Sequence, residues 1–147
     1  MQHRFVIKQA GLIAVLLALT ACGTPMPKYV PAANEPTAVI KLVGEQQGVN
    51  ICRDGTLMHV STIKTGDTRT VIVPADKRIT LWSYLMFQGY NTTVRCAAAL
   101  SLVASSDAAL ILNTDIRANG CYVEAVREDA SRPSGLAPEP SVGRPLC

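Results

Sequence analysis

Four cysteines, Cys52, Cys96, Cys121 and Cys147, carry the most reactive side chains in the body of this 147-residue chain, and a fifth, Cys22, stands apart near its start. A thiolate can attack a carbon, ligate a metal or close a disulfide, and spacing decides between these. Attack needs a neighbouring base, and a zinc site needs closely spaced ligand pairs. The chain has no Cys-x-x-Cys, and the one histidine near the four is His59. Neither a metal nor another cofactor is therefore expected. An even set of cysteines without metal spacing reads as two disulfides in an oxidising compartment, with three ways to connect them. The favoured pairing joins Cys96 to Cys121, because both lie in extended-looking segments whose 24 intervening residues can form a strand pair and its turns. By default Cys52 then takes Cys147 and staples the C-terminal segment to the body. An intermolecular bond through Cys147, to a second copy or a partner, stays open.

Other catalytic patterns are missing from the sequence. His59 lies between Met58 and Val60 in an alternating segment, which reads as a strand position and not as a triad base. No Gly-x-Ser-x-Gly, phosphate-binding loop or His-Glu-x-x-His occurs. The acids are scattered beside turns. No enzyme is expected. Aromatic residues offer a binding surface instead: Trp82, Tyr84, Phe87 and Tyr90 fall within nine residues, and Trp82 and Tyr84 project from one face of an alternating strand. Such a pair can form a platform for a ligand or partner, although core packing is the commoner use of aromatics.

The start of the chain explains Cys22. Arg4 and Lys8 precede a charge-free run from Ala10 to Ala21, with Pro25 and Pro27 close behind. This is the layout of an export signal, and the run is shorter than the roughly 20 apolar residues a membrane-spanning helix needs. Its last four residues, Leu19, Thr20, Ala21 and Cys22, resemble the lipobox of bacterial lipoproteins at every position. The resemblance implies a diacylglyceryl group on the Cys22 thiol, cleavage before it, and acylation of the freed amine. Two or more acyl chains are what stable anchoring requires. Gly23, not Asp, follows the cysteine, and in lipoproteins resembling those of enteric bacteria this implies transfer to the outer membrane, so the expected location is there, periplasm-facing, with surface exposure left open. Removing residues 1–21 takes away Arg4 and Lys8 and leaves a net charge of about +1 with no basic run. Nucleic-acid binding has no electrostatic footprint here. Asn91-Thr92-Thr93 fits a glycosylation sequon that a bacterial lipoprotein would not normally use.

The elements that must position these residues read as strands. Residues 22–36 contain four prolines and form a tether between lipid and domain. Short β-rich runs follow at 37–43, 48–52, 56–62, 68–74 and 78–86, separated by turn residues such as Asp54-Gly55 and Gly66-Asp67. Further runs cover 94–104, 108–116 and 121–129. The alanine-rich 97–112 stretch is compatible with a helix, but Ser105, Ser106 and Asp107 break it where a hairpin turn would fall. Residues 131–147, with four prolines, form a tail unable to fold alone. The expected fold is all-β, a small antiparallel β-sandwich of about 7–8 strands over residues 37–130.

Asp54, Gly55, Gly66, Pro74 and Leu81 occupy places that resemble those of PEGA-like and carboxypeptidase-regulatory-like modules. Those modules run strand, Asp-Gly hairpin, strand, Gly turn, then a Val-x-Val-Pro segment entering the next strand. The resemblance spans about 40 residues, with Ala75-Asp76 standing where a glycine usually follows the proline. It implies a non-catalytic sandwich. The chain is thus expected to be a lipid-anchored structural or protein-interaction module of the cell envelope, attached to the membrane through Cys22, with an envelope protein as partner and its oligomeric state open. The alternative is a periplasmic binding or inhibitor protein directed at an envelope enzyme or small ligand.

Overall fold

The computed structural model describes residues 25–44, 48–88, 90–117 and 120–147. Residues 1–21, expected to form an export signal, and Cys22 lie outside the described residues. Ten strands and no helix are present among those described, in the order β1 (Thr37–Gly44), β2 (Gly48–Arg53), β3 (Thr56–Val60), β4 (Thr62–Thr65), β5 (Thr68–Pro74), β6 (Arg78–Gln88), β7 (Thr93–Val103), β8 (Leu110–Arg117), β9 (Gly120–Glu128) and β10 (Leu136–Pro138). They make a six-stranded sheet, β10-β9-β8-β1-β5-β4, and a four-stranded sheet, β3-β2-β6-β7, packed as a sandwich.

Alternation in the sequence decides which side chains lie between the sheets. Val71 and Val73 of β5, Val49 and Ile51 of β2, and Ile79 and Leu81 of β6 are fully buried in one core with Ile40, Leu102 and Leu112. Burial of each such side chain stabilises the fold by roughly 1.5–3 kcal/mol. The β2–β3 hairpin turns at Asp54 and Gly55, with φ of 52° and 76°. Those left-handed values suit the right-handed twist of the flanking strands, which is why Asp-Gly marks this turn. Asp76 also takes a positive φ of 59°, a region that aspartate tolerates better than most residues.

The fold departs from the expectation in four places. The 56–62 run is two strands, because Ser61 carries the chain from the four-stranded sheet into the six-stranded one. Strand β1 pairs in parallel with β8, alone among pairs that are otherwise antiparallel. Ser105 to Asp107 does not close a hairpin: β7 and β8 lie in different sheets, so this turn crosses the sandwich. The fourth difference concerns the proline-rich ends: the N-terminal one, expected to be a tether, joins the sandwich, and the C-terminal one, expected to be held by the Cys147 staple, also pairs with β9 and β7. Pro27 and Tyr29 hydrogen-bond the backbone of His59 along the outer edge of β3, and the Tyr29 side chain enters the core. The described part of the proline-rich 22–36 segment is therefore docked on the sandwich.

At the other end, β10 adds to β9, and the chain then rounds the open side of the sandwich to reach β7. Gly143 exchanges two backbone hydrogen bonds with Ser101, at 3.0 and 2.8 Å. The last residues cross the outer face of the four-stranded sheet, where the Leu146 N–H donates to Thr80 Oγ1 at 3.0 Å, and end at the Cys52–Cys147 disulfide. This strap explains why Thr80 and Ser101, on the solvent side by alternation, are each only 1% exposed. Arg78 holds it from beneath, donating to Ser101 Oγ at 3.1 Å and to the Ser141 carbonyl at 2.9 Å.

Candidate functional site

The outer face of the four-stranded sheet carries the aromatic pair, and its register shows what surrounds each ring. Trp82 of β6 stands between Asn50 of β2 and Ala99 of β7, while Tyr84 stands between Gly48 and Ala97. Small neighbours on both sides leave the two rings half-exposed side by side. Tyr84 lies across Gly48 so closely that a β-carbon there would collide with the hydroxyl end of its ring. A glycine covered by an aromatic from the next strand keeps its place in the sheet without a side chain of its own. Beyond Trp82 the same row continues through Asn50 to His59, whose Nδ1 is 3.2 Å from Asn50 Oδ1. His59 is thus a hydrogen-bonded strand residue.

Past Tyr84 the face opens into a concavity of about 390 Å³ lined by Tyr84, Leu85, Met86, Arg95, Cys96 and Ala97. Apart from Arg95 its wall is apolar or weakly polar. Cys96 reaches across the sandwich to Cys121 of β9, with Cα atoms 5.8 Å apart. That bond ties the two sheets together under the concavity. The second disulfide, Cys52–Cys147, spans 95 residues with Cα atoms 6.2 Å apart. Both favoured pairings are therefore the ones present, and Cys147 is bonded within its own chain.

Trp82 and Tyr84 share this face, and Tyr90 sits fully exposed after β6. Two polar groupings escaped the sequence reading. At the β3 edge, the Tyr29 hydroxyl donates to Glu35 Oε2 at 3.1 Å, the Ala32 N–H donates to the same oxygen at 3.3 Å, and Arg53 pairs with Glu35 Oε1. Burial pushes the Tyr29 hydroxyl up to about 12, reinforced by its hydrogen bond to the Glu35 carboxylate. Burial also acts to raise Glu35, but the donors from Ala32, Tyr29 and Arg53 outweigh it and hold the carboxyl below the ordinary range. This cluster locks the docked N-terminal segment to β2. Charge signs alone could suggest an Arg53 partner, but nothing local in the sequence selects Glu35, 18 residues away.

The second grouping lies on the outside of the six-stranded sheet. Asn113 donates to Glu124 at 2.8 Å, Arg117 donates to Asp115 at 3.2 Å, and the Arg117 guanidinium stacks 4.9 Å from the Tyr122 ring. These groups satisfy one another in solvent, where such pairs contribute ~1 kcal/mol or less.

Among the described residues no set of three or more His, Cys, Asp or Glu side chains is placed to hold a metal ion, and no helix is long and apolar enough to cross a membrane. Comparison with protein-family models, curated proteins and solved structures finds no match to this chain.

Proposed function

We propose that this chain is a lipid-anchored protein of the bacterial envelope, held in the outer membrane through Cys22, whose sandwich is a non-catalytic protein-interaction module presenting the Trp82–Tyr84 face. The observation that carries the reading is the pairing of cysteines. Cys52 with Cys147 and Cys96 with Cys121 consume the four cysteines of the body, which leaves Cys22, at the end of the export-like segment, over for acylation. Two disulfides also suit an oxidising compartment outside the cytoplasm. A rigid, disulfide-tied platform with two half-exposed aromatics fits recognition, since Trp and Tyr dominate the energetics of many interfaces.

The apolar concavity beside Tyr84 favours a second reading, a periplasmic binding or inhibitor protein that takes a small ligand or an envelope enzyme's side chain there. The resemblance to PEGA-like modules supports the first reading more than the second.

Intact mass of the membrane-extracted protein, with and without reductant, tests the anchor. Three acyl chains on the mature chain, two internal disulfides, and loss of the acyl mass in Cys22→Ser are expected. An unacylated product rejects the anchor. A photo-reactive residue in place of Trp82 tests the face: cross-links to specific envelope proteins support the module, and none above the level of a probe at exposed Ile63 rejects it.

A further inference from the structure

The four-stranded sheet has two edges, and the chain treats them differently. Residues 27–29 bond the β3 edge at His59. The β7 edge is covered at one end only. Ser101 exchanges both backbone bonds with Gly143, and the Val103 N–H and carbonyl meet the Ser141 hydroxyl at 3.0 and 3.3 Å. Strand geometry then fixes the rest: if Ser101 and Val103 point their backbone groups away from β6, so do Ala99, Ala97 and Arg95. Among the described residues nothing pairs with those three N–H and three C=O groups. Natural sheets usually blunt such an edge with charges, proline or a bulge. Here the stretch is Arg95, Cys96, Ala97, Ala98, Ala99, with one charge and minimal side chains.

We propose that the β7 edge from Arg95 to Ala99 docks an extended peptide segment of a partner protein, antiparallel to β7, with a large apolar side chain opposite Ala97 and a carboxylate opposite Arg95. This rests on the interaction-module reading and names the class of partner. Three observations select the occupant. The tail already pairs with this edge in antiparallel register, Ser141 opposite Val103 and Gly143 opposite Ser101, then leaves it to cross the sheet. An incoming strand continues that register where the tail abandons it, which is strand addition to a sheet edge. Opposite residues in an antiparallel pair share a face. A side chain opposite Ala97 therefore lies over that alanine, beside Tyr84 and at the mouth of the 390 Å³ concavity. Arg95 borders the same concavity as its one charge, so the neighbouring position on the same face of the incoming strand calls for an acid.

The test uses the oxidised mature protein and the peptide acetyl-Thr-Val-Phe-Val-Glu-Thr-amide, whose Phe falls opposite Ala97 and Glu opposite Arg95. Hydrogen exchange followed by NMR is expected to show the Arg95, Ala97 and Ala99 amides exchanging freely in the protein alone and at least about tenfold more slowly with saturating peptide. Replacing the peptide's Glu by Lys is expected to weaken binding by about tenfold, in line with the role of charge complementarity across interfaces. Ala97→Pro removes one edge N–H without breaking a bond to β6, a position where strands accept proline, and is expected to abolish binding. Should that variant fail to fold, methylation of the peptide's own Phe nitrogen removes the matching bond and leaves the protein untouched. Binding that survives methylation, or edge amides unchanged by the peptide, overturns the proposal. Edge amides that become protected with rising protein concentration alone assign the edge to a second copy and overturn it as well. Cross-links from position 82 that persist in Ala97→Pro overturn the edge site while leaving the module reading intact.

Discussion

Ser83 Oγ and Thr114 Oγ1 meet at 2.7 Å in the middle of the sandwich, joining β6 of one sheet to β8 of the other. Both residues are buried, at 0% and 2% exposure. Each hydroxyl is the partner the other has in an otherwise apolar layer, so neither can be removed without isolating its mate. Ser83→Ala is expected to cost about 1–3 kcal/mol, because it strands the Thr114 hydroxyl. The double variant Ser83→Ala with Thr114→Val, which removes both polar groups and keeps the volume, is expected to cost less than the two single variants summed. Urea unfolding of the four proteins measures the coupling; strict additivity contradicts it.

The strap gives a second expectation. Cys52 and Cys147 close a loop across 95 residues, and a crosslink of that length typically stabilises by about 2–5 kcal/mol through the unfolded chain. Cys147→Ser is expected to lower stability by that order. It is also expected to speed exchange of the Ser101 amide, whose acceptor is Gly143 on the released strap. A loss of stability without faster exchange at Ser101 would mean that the tail stays paired to β7 unaided.

Acid sensitivity follows from Glu35. Its folded-state carboxyl sits below the ordinary value of 4.5 because the donors from Ala32, Tyr29 and Arg53 favour the charged form. Its contribution is therefore fully present above pH 4.5 and is lost as pH falls through the lowered native value. In Glu35→Gln the unfolding midpoint is expected to depend less on pH across that acidic window than in the parent. Equal slopes reject the assignment.

The alkaline limb has the opposite sign. With Tyr29 raised from 10.0 to about 12, the neutral hydroxyl is favoured in the fold, so that contribution is complete below pH 10 and fades as pH rises towards 12. Absorbance titration of the phenolate is expected to lose its latest-ionising component in Tyr29→Phe.

Gly48 and Tyr84 make a steric prediction. A methyl group at position 48 would occupy the space of the Tyr84 ring, so Gly48→Ala is expected to rotate the ring off the sheet and cost about 1–3 kcal/mol, the usual range for overpacking. Near-UV circular dichroism reports the ring; an unchanged spectrum with parental stability contradicts the packing described here.

Much of this architecture was legible in the residues. Period-two alternation in Thr68–Pro74 set Val71 and Val73 apart from Thr70 and Ile72, and Asp54-Gly55 located a hairpin, because those signals are local; in Arg78–Gln88 both alternating sets are largely apolar, so the period alone did not choose the buried face. Placing Trp82 with Tyr84 on one face needed only the same period. What stayed hidden depends on contacts between distant segments. The β1–β8 parallel pairing, the sheet switch at Ser61, and the Glu35–Arg53 pair leave no periodic trace. The proline-rich N-terminal segment looked like a free tether, and the C-terminal one looked held by its cysteine alone, because composition records an inability to fold alone, not an ability to dock on an existing sheet. Tyr29 is the single large aromatic in the N-terminal stretch, and it is the residue that enters the core.

The two disulfides are nested, with Cys96–Cys121 enclosed between Cys52 and Cys147. For a chain emerging from an export channel N-terminus first, the order of appearance opposes this arrangement. Cys52 emerges first and meets Cys96 and then Cys121 while its own partner is still to come. An oxidant that joins thiols in order of arrival produces the wrong pair. Native protein then depends either on the sheets folding early enough to hold Cys96 against Cys121, or on a thiol catalyst that reopens mistaken bonds by exchange. On the proposed export route, maturation of this small sandwich is thereby tied to the proofreading capacity of the compartment that receives it.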